Sequence, residues 1–255
     1  MILNEFDKDR KGIINPEDIT KKVIEMPKIA ISVFSQKIID KIVDLYNPEI
    51  ITHITNANEK VPVYKIKFQD VEIAFFKSRV GAAACTVSYE EIIVKGVEKL
   101  ILFGTCGVLD KNIKKLDIII PTFAIRDEGT SYHYVEAKEE IEVNKKYIEV
   151  FKSLLELHNY SYIEGKTWTT DAPYRETKTK MERRKEQGCI SVEMECSAMQ
   201  AVADYRGKEI FVFFYSADNL DSKKWDKRNL GCVNDLDQKT KIAVLALEFA
   251  SKIGK

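Results

Sequence analysis

The chain is poor in the residues that metal and dinucleotide chemistry usually need. Its three histidines, His53, His133 and His158, lie far apart and form no H-E-x-x-H or other ligand spacing. Its five cysteines make no C-x-x-C pair, and their odd number argues for reduced thiols rather than a disulfide framework or a zinc site. The glycines never fall into G-x-G-x-x-G or a P-loop, and no G-x-S-x-G occurs. The dinucleotide, nucleoside triphosphate and α/β-hydrolase readings therefore lose their signatures. No apolar run approaches the ~20 residues of a membrane helix. The opening stretch MILNEFDKDRKG is charged and lacks the apolar centre of a signal peptide, so a cytoplasmic location is expected. Neither sign of charge prevails, Lys+Arg and Asp+Glu numbering 40 each, so neither a nucleic-acid nor a membrane partner is expected.

What is present is an alternation of strand-like and helix-like stretches. Residues 1–27 read as an irregular leader closed by Pro27, and residues 28–255 as one domain, since no glycine–proline linker divides them. KIAISVF reads as a strand and QKIIDKIVDLY as an amphipathic helix. VPVYKIKF and VEIAFFKS form a hairpin through Gln69-Asp70, followed by a helix near Cys85–Lys95. EKLILFG, LDIIIPTFAI and SYIEGKTWTT read as strands; apolar spacing predicts a helix over Ile141–Asn159 and another over Lys178–Gln187. CISVEM leads into the helix ECSAMQAVADYRG, which Gly207 ends, then comes the strand EIFVFFYSA and a closing helix over Gln238–Ile253. Continuously apolar strands separated by helices imply an α/β fold with a central mixed sheet covered on both faces.

Four polar clusters lie at strand ends, where α/β sheets usually hold their ligands. In LILFGTCGVL, Gly104 and Gly107 allow a sharp turn whose amides, with the Thr105 hydroxyl, would face an anion. In SVEMEC, Glu193 and Glu195 fall on one side of an extended segment, and a carboxylate can accept both hydroxyls of a vicinal diol. In FFYSADNL a buried strand delivers Asp218, a carboxyl placed to hold a proton as a general acid. In KTWTTDAPYRET, Trp168 and Tyr174 offer aromatic faces and Arg175 a guanidinium. Taken singly, each also fits a bland account: a glycine turn, a helix-start carboxylate, a turn aspartate, a loop around one buried tryptophan.

Their order is more specific than any one of them. Gly-Thr-x-Gly after a mid-chain strand, an aromatic-plus-TDA segment, V-E-M-E-C-x-A before a helix and a strand ending in aspartate resemble the nucleoside phosphorylase family. That family takes in purine nucleoside and uridine phosphorylases and the related methylthioadenosine nucleosidases. The resemblance runs from about Lys28 to the C-terminus, and RDEGTSYHY is similar to a uridine phosphorylase segment. It implies a partly barrel-like central sheet, a homodimer or hexamer, no metal or organic cofactor, and inorganic phosphate as co-substrate. Carried over, Glu195 would bind the ribose 2′- and 3′-hydroxyls, Met194 would pack on the sugar and Glu193 would border the base. Gly104 and Thr105 would hold phosphate, Trp168 or Tyr174 would wall the base, and Asp218 would protonate N7 of a purine. His133 would reach the ribose 5′-hydroxyl of a neighbouring subunit. The expected reaction is phosphate-dependent cleavage of a purine nucleoside to base and ribose 1-phosphate. Uridine cleavage, hydrolysis and binding without catalysis remain alternatives.

The chain departs from that family at the phosphate site. ISVFSQKII stands where a Gly-Asp-Pro-x-Arg loop is expected, and Leu102 and Phe103 stand where a second arginine would precede the glycine motif. A dianion needs replacement cations. Arg79, in KSRVGAA, is the expected substitute, with Arg126 and Arg175 as assistants. The nucleosidases of this family use a glutamate near the end of the first strand, and Val33, Phe34 and Ser35 supply none, which disfavours hydrolysis.

Overall fold

The computed structural model describes residues 2–57, 59–231 and 235–254. Its ten strands are β1 (Ile29–Val33), β2 (Glu49–Thr55), β3 (Lys60–Phe68), β4 (Val71–Lys77), β5 (Lys99–Val108), β6 (Ile118–Asp127), β7 (Glu140–Glu142), β8 (Tyr162–Thr170), β9 (Cys189–Glu193) and β10 (Glu209–Asn219). The helices are α1 (Pro16–Ile19), α2 (Gln36–Tyr46), α3 (Ala82–Lys95), α4 (Ile148–Leu157), α5 (Lys178–Glu186), α6 (Cys196–Arg206) and α7 (Leu236–Ile253). All strands belong to one mixed sheet in the order β10-β6-β8-β9-β5-β1-β4-β3-β2, and β10 also pairs with β5. That last pairing closes β5, β9, β8, β6 and β10 into a five-stranded barrel, from which β1, β4, β3 and β2 extend as an open wing. The α/β class and the partly barrel-like sheet expected above are thus both present.

Period-two alternation explains how the sheet buries both faces. Along β10, Phe211, Phe213 and Tyr215 enter one core with Phe151 of α4 and Phe249 of α7. Val212 and Phe214, between them, enter a second core with Tyr89 of α3 and Met199 of α6. The first core is aromatic: the Phe103 and Phe213 rings stack 5.1 Å apart and Phe151 lies 4.6 Å from Phe213. Helix ends follow the chain's own punctuation. Asn47 ends α2 and Gly207 ends α6, both in the left-handed region that asparagine and glycine tolerate.

Two elements differ from the sequence expectation. The helix expected over Ile141–Asn159 begins only at Ile148, because Glu140–Glu142 pairs with β6 as β7. Between them Asn144 is fully buried at φ 54°. Its amide donates to the Pro121 and Val212 carbonyls at 2.8 and 2.6 Å, and its Oδ1 accepts from the Val212 N–H at 2.7 Å. These bonds bind the chain to β6 and β10 and rule out helix there. The strand β2 was not expected; its mostly half-exposed EIITHIT shows no clean alternation. Among its described residues the leader holds a short 3-10 turn and α1, and it leans on the body through Val23 N–H to the Lys95 carbonyl and the Tyr205 hydroxyl to the Arg10 carbonyl.

Asn144→Ala should lower stability by about 3 kcal/mol or more, because it strands the buried Val212 amide and its carbonyl neighbours. Urea unfolding of the variant beside wild type, with an unchanged m-value, checks this.

Candidate active site

A cavity of about 720 Å³ opens where the ends of β9 and β10 meet the Thr105–Gly107 stretch of β5. Seven residues singled out from the sequence line it together: Thr105, Gly107, Tyr174, Glu193, Met194, Glu195 and Asp218. A second hollow of about 860 Å³ lies at the opposite end of β1, against Met26–Ile29 and Asp70–Glu72, and gathers none of those residues.

The two glutamates do different work. Glu193 ends β9, and both its oxygens are occupied: Oε1 accepts from the Thr169 hydroxyl at 2.6 Å, Oε2 from the backbone N–H groups of Glu195 and Cys196 at 2.7 Å each. It therefore caps the start of α6 and ties it to β8. The helix-start account of a carboxylate, open at the sequence level, is the one its geometry fits. Glu195, at the cap position of α6, accepts from the Gly81 N–H at 2.6 Å and lines the cavity. Burial, then the charge of Glu193, pushes the Glu195 carboxyl up to about 8. Burial also pushes Glu193 up to about 7, against the bonds from Thr169 and the two amides.

Asp218 reaches the cavity through an irregularity. The parallel β10–β5 register shifts between Ser216 and Asp218, and Asp218 pairs with Gly107. A Cβ at Gly107 would stand 2.7 Å from Leu220 Cδ1 and 3.3 Å from Asp218 Oδ1, so only glycine leaves room for the carboxyl. Burial raises the Asp218 carboxyl above its ordinary range, while a 2.7 Å hydrogen bond from the Trp225 indole N–H to Oδ2 lowers it. Glu176 lines the same cavity, pushed up to about 7 by burial and then by the charge of Asp218.

The glycine motif does not turn. β5 runs straight through Gly104-Thr-Cys-Gly, with Gly104 and Thr105 opposite Phe214 and Tyr215 of β10. Gly104 instead permits close packing: a Cβ there would lie 2.5 Å from the Phe34 ring, which covers it. Thr105 lines the cavity and Gly104 does not.

The remaining predicted residues lie outside the cavity lining. Trp168 is fully buried against Leu109, Ile125, Met181 and Val192 and donates its N–H to Asp127, so it is core and does not wall the cavity; Tyr174 does. Arg126 is buried and spends its guanidinium on the Ser131 hydroxyl and the carbonyls of Val135, Glu136 and Lys138. That guanidinium commits four of its five N–H donors to organising the RDEGTSYHY loop, away from the cavity lining. Arg175 and His133 are exposed, in two short 3-10 turns. Arg79 is buried, its Nε donating to Glu59 at 3.3 Å and its Nη2 without a partner among the described residues. Sequence reasoning missed Phe34, Glu176, Lys178, Lys223, Lys224 and Trp225 as cavity residues. Only the last carried a signal: an aromatic in the charged loop DSKKWDKR directly after Asp218.

Among the described residues no three His, Cys, Asp or Glu side chains gather as a metal site, and no helix is long and apolar enough to cross a membrane. Cys85, Cys106, Cys189 and Cys196 are free and buried; Cys232 lies outside the described residues.

The model of the Phosphorylase superfamily matches residues 28–249, and the chain belongs to that superfamily. A guanosine phosphorylase of Halorubrum lacusprofundi is 21% identical over 169 residues, 66% of this chain and 69% of that protein. Among curated relatives the matched stretch spans from 39% to 74% of their length. The crystal structure of a uridine phosphorylase from Vibrio fischeri superposes with a TM-score of 0.76 at 19% identity, over 92% of this chain and 99% of that one. A 5′-methylthioadenosine/S-adenosyl homocysteine nucleosidase from Campylobacter jejuni gives 0.70 at 20% identity, over 89% and 99%. The fold is therefore one that phosphorylases and nucleosidases share.

Between about pH 5 and 8 the empty folded protein holds a proton on Glu195 that the unfolded chain has released, so its stability falls as pH rises through that window. Glu195→Gln should flatten this slope and raise Tm near pH 8 by ~2–4 °C per kcal/mol gained. Thermal scans from pH 5 to 8.5 check this.

Proposed function

We propose that this chain cleaves the N-glycosidic bond of a purine ribonucleoside with inorganic phosphate as the nucleophile. The observation that carries the reading is the pairing of Glu195 and Asp218 in one cavity, a diol acceptor and a half-buried acid. Glu195 receives the ribose hydroxyls with Met194 against the sugar. Asp218 gives its proton to N7 as the C1′–N9 bond breaks and its electron pair passes to the base. A phosphate oxygen forms the new bond to C1′, leaving free base and ribose 1-phosphate. Charge develops in both directions, positive on the sugar and negative on the base, and each carboxyl faces the part it suits.

Thr105 supplies a hydroxyl to the phosphate. Arg79 supplies the positive charge once its guanidinium leaves Glu59, and its unpartnered buried Nη2 supports that role. The raised Asp218 carboxyl supports a purine over a pyrimidine, because only a purine offers N7. One observation favours a second reading, hydrolysis: the Phe34 ring covers Gly104, narrowing the place where a phosphate would meet the β5 backbone.

Release of base from inosine, guanosine, adenosine, methylthioadenosine and uridine, with and without phosphate, tests the proposal. Phosphate-dependent release with ribose 1-phosphate supports it, and equal release in its absence selects the hydrolase. Asp218→Asn should lower kcat on the preferred purine by about 10²–10⁴-fold. Arg79→Ala should raise the KM for phosphate about tenfold or more with little change for the nucleoside. Unchanged phosphate kinetics in that variant would remove Arg79 from the site.

A further inference from the structure

Two aromatic side chains stand exposed at the cavity, Tyr174 and Trp225, and only Trp225 touches the candidate acid. After β10 the chain turns back on itself. Asn219 and Asp226 exchange backbone hydrogen bonds of 2.9 and 3.2 Å as an isolated bridge, and the Asn219 Oδ1 accepts from the Asp221 N–H. Beyond it Arg228 donates to the Ile113 carbonyl at 2.9 Å. The loop is thus pinned at its base, while the Trp225 side chain remains 59% exposed and is set on Asp218 Oδ2 at 2.7 Å.

That bond conflicts with the reaction. An indole N–H is only a donor, so it favours the ionised carboxylate. N7 of a purine is an acceptor and needs Asp218 to carry a proton. The indole thus favours the charge state that N7 cannot use. We propose that Trp225 is a gate on Asp218: its indole caps the carboxylate in the empty cavity, and the incoming base displaces it, leaving the ring to stack on the base. Departure of the donor raises the proton affinity of Asp218 as the base arrives, so the carboxyl takes up its proton when there is something to protonate. Rotation of one exposed side chain suffices, since the Asn219–Asp226 bridge and Arg228 hold the backbone. The other charged groups around Asp218 are Glu176 from the turn before α5, and Asp226 and Arg228 from the loop itself. The buried Cys106 thiol on β5 feels the Asp218 charge, and Lys178, Lys223 and Lys224 line the same cavity. None of these side chains donates an N–H to the Asp218 carboxyl; among the described residues the Trp225 indole does, beside the backbone N–H of Asp218 itself. The inference rests on the reading of Asp218 as the acid.

The chain's two tryptophans make the gate visible, because Trp168 is fully buried and only Trp225 is open to a quencher. Acrylamide quenching is measured while hypoxanthine, guanine, adenine or uracil is titrated, in wild type and in Trp225→Phe. The quenchable emission should be lost when a base binds to wild type and should be absent throughout in the variant. In Trp225→Phe the basic limb of kcat/KM, which reports the free enzyme, should move up by about one pH unit. The limb of kcat, which reports the complex, should stay in place, because there the indole has already left. Quenching unchanged by a bound base, an unshifted kcat/KM limb, or no binding of any base overturns the gate. If wild type cleaves no nucleoside, the functional proposal falls, and the base titration alone then decides whether Trp225 is displaced.

Discussion

The pairing of β10 with β5 is the constraint on which the site depends. It runs from Glu209 opposite Lys99 to Asn219 opposite Val108, and it closes the barrel. Without it the sheet would be an open twisted array with β10 at its edge. With it, the last residues of β10 stand beside Thr105–Gly107, and β9, hydrogen-bonded to β5 through Gly107 and Val108, brings Glu193 and the cap of α6 to the same place. The single register shift in that long pairing falls at Asp218. A regular ladder cannot present a carboxyl there, and the shift supplies the change of direction. The two glycines of β5 serve this closure. Gly107 makes room for Asp218 and Leu220, and Gly104 accepts the Phe34 ring.

How much of this could be read from the sequence depends on what kind of interaction fixes each part. Where burial alone decides, the reading holds: β1 and the Ile210–Tyr215 run of β10 are almost wholly apolar and buried, and the Gln69-Asp70 hairpin and the Gly207 helix end lie where the residue types put them. Where one side chain overrides a pattern, it fails. The spacing over Ile141–Asn159 is helical, yet the three hydrogen bonds of Asn144 hold its first part extended. The glycine motif shows the same limit. Glycine marks both turns and close approaches, and only the position of Phe34, seventy residues away in the chain, decides between them. The cavity's acids were legible in part because SVEMEC and SADN sit at strand ends. The buried tryptophan was misread because an aromatic beside a TDA segment faces core or cavity according to strand parity, and β8 turns Trp168 toward Met181.

Glu193 and Glu195 show how neighbouring carboxyls come to differ. Glu193 commits one oxygen to two amides of the α6 cap and the other to Thr169, which leaves it little acceptor capacity for a ligand. Glu195, two residues on, takes the Gly81 amide and faces the cavity. The rigidity of the first is what orients the second. The proposed role of Glu195 as a diol acceptor needs a fixed angle, and a carboxylate that bridges a strand end and a helix start removes the slack from the segment between them.

The cavity holds more acids than cations that touch it directly: Glu176, Glu193, Glu195 and Asp218 against Lys178, Lys223 and Lys224. Four ionised carboxylates would repel phosphate, yet the proposed reaction needs an anion to enter and a cationic sugar to be stabilised. Burial resolves the conflict. It raises all four carboxyls above their ordinary values, Glu176, Glu193 and Glu195 furthest, so the empty cavity carries less negative charge than four acids in water would. In the proposed reaction the positive charge growing on the ribose is stabilised by the ionised form of Glu195. A site built of permanent charges would bind the ground state and the transition state alike. One built of buried acids near their titration points changes its charge with the reaction.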